Sequence, residues 1–161
     1  LPALLSTAVF SVAPSATAQQ YLLGAGGEIQ SGVAAGGPGA RMVRRARTTL
    51  RLSVDVRNDE LPNDAISGAL VAELEPRAAL GGDLHYMRLL SPKIAVAAGG
   101  IAFVAPKTLL GASAFASYRL PLGGLRLTTG PGFQIFFAGQ DLPTPVPIWQ
   151  ATWRLGFHVD L

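Results

Sequence analysis

The sequence predicts an all-β protein, eight antiparallel strands closed into an up-and-down barrel, and three observations carry that expectation. The first is composition: 161 residues are 49% hydrophobic and only 14% charged, with 19 Gly, 12 Pro and a mean hydropathy of +0.35. Gly and Pro at this level exclude a helical bundle and suit short strands joined by turns. Ordinary soluble domains are about 25% charged, so part of this surface is expected to be covered by something other than water. The second is period-two alternation, as where Leu50, Leu52, Val54 and Val56 interleave with Thr49, Arg51, Ser53, Asp55 and Arg57. Such a pattern puts one side-chain class on each face of a strand. The third is that no helical membrane span follows the N-terminal segment. The charge-free stretch 94–106 is 13 residues long and broken by Gly99-Gly100, against the roughly 20 needed to cross as a helix.

Residues 1–18 lack charge and run from an apolar stretch into Ala16-Thr17-Ala18. That is the apolar region and cleavage site of a secretory signal peptide whose charged start is missing. The expected organisation is therefore a signal peptide over 1–18 and a barrel domain over 19–161. Within the domain, strands are expected at 20–31, 46–57, 65–75, 79–90, 93–104, 108–120, 124–138 and 147–161. Their separators are turn material: Gly-Gly-Pro-Gly at 36–39, the polar run 58–64, Pro76, Ser91-Pro92, Pro106, Pro121 with Gly123-Gly124, and the Pro-rich run 140–147. The fifth strand is apolar on both parities, and Pro131 falls inside the seventh, where Gly130-Pro131-Gly132 reads as a bulge or kink. In the eighth, Trp149, Ala151, Trp153, Leu155, Phe157, Val159 and Leu161 alternate with polar and small residues. Gly24-Ala-Gly-Gly27 matches no phosphate-loop spacing and reads as close packing.

The polar parity decides which way the faces point. It carries Glu28, Arg51, Asp55, Arg57, Glu73 and Glu75 in the first half, and Asp83, His85, Arg126, Arg154, His158 and Asp160 in the second. Arg mixed with carboxylates is what enclosed, mutually paired groups look like, whereas a solvated face favours Lys and Glu. The apolar parity carries Tyr21, Tyr86, Tyr118, Trp149, Trp153 and Phe157, as an aromatic girdle would. An eight-stranded barrel is narrow enough to be filled by its own side chains. The expectation is a transmembrane barrel with a polar, largely plugged lumen. A soluble lipocalin-like ligand-binding barrel is the alternative with the faces reversed.

In this architecture the chain resembles the small eight-stranded outer-membrane β-barrels of Gram-negative bacteria, typified by OmpX and the OmpA transmembrane domain. Gly156-Phe-His-Val159-Asp-Leu161 resembles the C-terminal signal read by the barrel-assembly machinery, with Val159 and Leu161 where the family usually has aromatics. The resemblance implies location in the cell outer membrane, contact with its lipid, both termini in the periplasm and the odd-numbered connections outside. The irregular linkers 32–45 and 139–147 would then face outward, and 58–64 is long for a periplasmic turn.

Some barrels of this size modify lipid A with a Ser or His and an acidic partner. His85 and His158, with Asp83, Asp160, Ser113 and Ser117, are the residues here that could do so, but no such motif surrounds either His. No catalytic residue is therefore assigned, and a lipid A-modifying enzyme is kept as an alternative. Two His and scattered carboxylates make no metal-ligand spacing, no cofactor is implied, and the absence of Cys removes thiol chemistry. The 11 Arg and two Lys are spread singly along strands, which does not support nucleic-acid binding. Their one cluster, Arg41, Arg44, Arg45 and Arg47, reads either as a contact for lipopolysaccharide phosphates or as a solvated basic loop. The expected role is non-enzymatic: membrane structure, surface interaction, or very limited passage of small solutes.

Overall fold

A computed structural model describes residues 21–37, 44–75, 78–142 and 146–161. The expected signal peptide over 1–18 and Arg41 lie outside the described residues, as do the side chains of Arg44 and Arg45. Eight long strands run in chain order: β1 Tyr21–Gly36, β2 Thr48–Asn58, β3 Asp64–Glu75, β4 Ala79–Ser91, β5 Ile94–Ala105, β6 Leu109–Leu122, β7 Leu125–Ala138 and β8 Ile148–Asp160. Each pairs antiparallel with the next, and β8 returns to β1 from Gly24↔Asp160 to Gly36↔Ile148, so the sheet closes on itself. The two residues Arg44–Arg45 pair with Val33 and Ala34 and lengthen the first hairpin. Closure leaves no free edge, the condition for strands to lie in a hydrocarbon layer.

The eight expected strands are present, with one difference in length. β1 runs past 31 to Gly36 because its Gly and Ala residues, which show no alternation, are held by the β8 ladder. At Gly32 a Cβ would stand 2.1 Å from the Ala151 carbonyl oxygen, so only glycine allows this approach. The connections 59–63, 92–93 and 123–124 lie at one end of the barrel, called here the turn end. Gly123, at φ +64, supplies the left-handed residue that a two-residue turn needs. Strands β1, β3, β5 and β7 end at the opposite end of the barrel, called here the loop end.

Pro131 introduces no register shift into its strand. Gly130 and Pro131 stay paired to Arg154 and Trp153 of β8, while toward β6 the pairs stop at Phe115↔Gly132 and resume in the same register at Tyr118↔Thr129. The missing N–H thus interrupts one ladder locally and shifts nothing.

The apolar parity faces outward. Leu52 is 56% exposed, Leu84 62% and Trp153 59%, whereas Arg51, Asp55, His85 and Arg154 are buried. This facing is that of a membrane-type barrel and the reverse of the soluble alternative. Outward charges mark the rim: at the turn end Arg88 Nε lies 3.9 Å from Asp64, which also accepts a 2.5 Å bond from the Tyr86 hydroxyl. The two-parity apolarity of β5 has a physical reason as well. Its inner face carries Ala95, Ala97, Ile101 and Phe103, all buried inside the barrel. Ile101 and Phe103 join Val71, Leu109, Phe136 and Ile148 in an apolar cluster at the loop end, so the lumen is not polar throughout, as the sequence had suggested.

Leu84 lies midway along β4 and faces outward. Leu84→Arg is expected to lower the unfolding free energy in lipid vesicles by about 2–4 kcal/mol, the cost of a guanidinium near a bilayer midplane. Denaturant titration followed by tryptophan fluorescence measures it.

Candidate functional site

The lumen is the site, and it is built in three layers. In the middle layer Arg51, inward from β2, donates to both carboxylate oxygens of Asp83 at 2.7 and 2.9 Å and to Ser67 Oγ at 2.9 Å. Glu28 of β1 accepts from Arg154 and lies 3.7 Å from Arg51. The Arg154 guanidinium carbon sits 3.3 Å from the Phe115 ring centroid, a stacked cation–π contact. Glycines make this crowding feasible. A Cβ on Gly156 would fall 2.5 Å from Glu28 Cγ, and one on Gly132 2.8 Å from Thr152 Oγ1 and 3.3 Å from Arg154 Cδ.

The same layer contains a Ser–His–Asp relay. His85 Nδ1 is 3.1 Å from Asp83 Oδ1, and His85 Nε2 is 2.5 Å from Ser113 Oγ. Asp83 and His85 are two apart on β4 and share its inner face. Ser113 lies two strands away, and the register explains the reach: His85 pairs with Gly99 of β5, and Gly99 pairs with Ser113 of β6. With no side chain at Gly99, the imidazole spans β5 to the serine. The connectivity is that of an activated nucleophile, but the adjoining cavity, bordered by Arg51, Ser113 and Arg154, measures about 10 Å³. That is space for about one water. Asp83 is also held by Arg51, which competes for the carboxylate that would orient the base.

At the turn end, Asp160 accepts from Arg57 at 2.9 Å and pairs with Arg126, while His158 Nδ1 is 3.3 Å from Asp55. Gly24 makes room for the His158 ring, whose Nε2 would lie 2.6 Å from a Cβ there. Arg119 also points into this layer. At the loop end Arg47 pairs with Glu73 and with Asp141 at 2.7 Å, its guanidinium 5.9 Å from the Phe103 ring and 6.0 Å from that of Phe136. This ionic cap closes over the apolar cluster.

Most residues expected in the lumen are thus brought into three groups, with two placements to correct. Glu75 is exposed at the end of β3, because its strand ends beyond the enclosed region. Arg47 is not a rim cation open to phosphates: its side chain is 12% exposed and engaged by two carboxylates. At the C-terminus Gly156 faces inward beneath Glu28, Val159 is half-buried, and Leu161 is exposed and donates from its N–H to the Leu23 carbonyl at 2.9 Å. Phe115, Arg119 and Asp141 were not foreseen as lumen residues. Phe115 and Arg119 share the parity of Ser113 on β6 and could have been read from it, whereas Asp141 lies beyond a strand end, where no parity exists. Among the described residues no three His, Cys, Asp or Glu side chains are placed to hold a metal ion.

No protein-family model matches the chain, and no curated protein matches it in sequence. Solved structures similar in shape include the following two. Neisserial surface protein A aligns over 86% of this chain and 96% of its own, at 10% identity and a TM-score of 0.49. A de novo designed transmembrane β-barrel aligns over 84% and 95%, at 11% identity and a TM-score of 0.41. The fold assignment rests on the strand pairing and closure described above.

Arg51 ties together three inward groups, so Arg51→Ala is expected to destabilise the barrel by about 3–5 kcal/mol by leaving Asp83 buried without its cation. The double variant Arg51→Met/Asp83→Leu removes both charges and is expected to be less destabilised than Arg51→Ala. Denaturant midpoints of the three proteins in the same vesicles decide this.

Proposed function

We propose that this protein is a non-enzymatic outer-membrane barrel that seals its own lumen and serves membrane structure or surface interaction, with at most very limited passage of small solutes. One observation carries the reading: inward side chains occupy the loop end and the middle of the barrel. An apolar cluster under the Arg47–Glu73–Asp141 cap fills the loop end, and ion-paired residues fill the middle. Two cavities inside the barrel, bordered by middle-layer residues, measure about 10 and 20 Å³. Each admits about one water-sized body, too little for a hydrated solute. In this reading residues 1–18 direct export from the cytoplasm of a Gram-negative cell, Gly156, Val159 and Leu161 present the last strand to the assembly machinery, and the loop end faces outward. Arg41, Arg44 and Arg45 are then the candidates to meet lipopolysaccharide phosphates, without Arg47.

Planar-bilayer recording tests the seal. The reconstituted barrel is expected to give no stable large conductance; a persistent open pore would refute the reading.

The Ser113–His85–Asp83 relay supports a second reading, an acyl-transferring enzyme acting on lipid. Its test is a fluorophosphonate probe applied to the folded protein, together with mass spectrometry of lipid A from expressing cells. We expect no labelling and no change in acyl pattern. Labelling lost in Ser113→Ala, or a lipid A change lost in His85→Ala, would put the enzyme in place of the structural role.

A further inference from the structure

We propose that the turn end of the lumen contains a binding site for one small monovalent inorganic anion of the halide class, centred on Arg119. Arg119 points inward from β6 and is 4% exposed. Its Nη2 donates to Met87 Sδ at 3.2 Å, a weak acceptor, and its Nε and Nη1 have no hydrogen-bond partner among the described residues. A guanidinium keeps its charge and carries five donors, so a buried one without a carboxylate is incomplete as it stands.

The neighbouring carboxylates are already engaged. Asp160 holds Arg57 and Arg126, Asp55 faces His158, and Glu28 is shared by Arg154 and Arg51. In the turn-end layer Arg57, Arg119 and Arg126 stand against Asp55 and Asp160, an excess of at least one positive charge whichever protonation state His158 adopts. The middle layer balances, Arg51 and Arg154 against Glu28 and Asp83. Arg119 is therefore the cation of the turn-end layer that no carboxylate contacts directly, although Asp55 and Glu28 border the cavity beside it.

Beside Arg119 lies a cavity of about 20 Å³, bordered by the hydroxyl-bearing Ser53, Ser117 and Thr128 and walled by Met87 and Phe115. The engaged carboxylates Glu28 and Asp55 border it too. This is space for about one water-sized body, which fits a chloride ion and excludes a sulfate or a lipid phosphate. Water would fill the space but leave the charge unmatched; a halide meets both conditions, with hydroxyl donors to add to the guanidinium. The exposed Asp160 at the rim leaves this end the more open to solution.

The test uses the full barrel. Crystals soaked in bromide are read by anomalous scattering, and thermal unfolding in detergent is followed in sodium chloride, bromide and gluconate at one ionic strength. We expect a bromide peak within hydrogen-bond distance of the Arg119 guanidinium. The midpoint is expected to rise by a few degrees per tenfold increase in chloride or bromide, and to stay level in gluconate. Arg119→Met is expected to lose both responses. Absence of a bromide peak at Arg119 in the unmodified protein overturns the proposal whatever the variant does, as does a folded Arg119→Met that keeps the halide-specific shift.

Discussion

A barrel of eight strands has room inside for its own side chains and little else, and the rest of this structure follows from that constraint. The outer face is given to apolar residues that need no partner in a hydrocarbon layer, so nearly all the chemistry of the chain is turned inward. Each inward charge then has to be matched within a narrow ring, because a buried charge without a partner costs several kcal/mol. The use of Arg follows from the same geometry: a planar fork of donors can serve two acceptors from different segments of the chain at once. Arg51 does so with Asp83 and Ser67, and Arg47 with Glu73 and Asp141. Glycine is the complementary device. Gly132 and Gly156 face the lumen where Arg154 and Glu28 crowd the wall, and Gly99 where His85 crosses to Ser113.

The inner face is not uniform along the barrel axis. Its loop end carries packed apolar side chains beneath an ionic group, its middle a polar network, and its turn end a looser group around the exposed Asp160. Ion pairs of this kind contribute less to stability than to uniqueness, since a hydrophobic filling of equal volume often folds as well or better. What they supply here is register. Glu28 meets Arg154 across the β1–β8 seam, where closure of the sheet requires the first and last strands to find each other. A one-residue slip there would turn every charge of β8 toward lipid.

The sequence made the strands legible where one face differed sharply from the other, as in β2 and β8. Where that contrast failed, a strand's facing or its full length was not legible. β5 lacks alternation because Ile101 and Phe103 pack inward as apolar as the residues facing out, and the Gly and Ala residues at the end of β1 have no side-chain pattern to read. The apolar cluster at the loop end went unseen for the same reason, since Phe103, Leu109 and Phe136 look like lipid-facing residues until parity is fixed. The polar lumen set was largely legible from parity, whereas who meets whom was not. Ser113 reaches His85 only because the register places Gly99 between them, and Arg47 turns into the lumen from outside any strand. Those pairings belong to strand register and closure, which no local pattern encodes.

The central claim is that apolar side chains face lipid while the inside is packed shut. Because the chain has no native Cys, single cysteines placed along β8 can carry a spin label at alternate facings: Trp149, Ala151, Trp153 and Leu155 outward, and Gln150, Thr152 and Arg154 inward. Accessibility to oxygen and to a water-soluble nickel chelate in lipid vesicles is the direct measurement. The structure predicts oxygen access at the outward positions and low access to both reagents at the inward ones. High chelate access at the inward positions would mean a water-filled channel, and loss or reversal of the alternation would mean a different facing; either result contradicts the account.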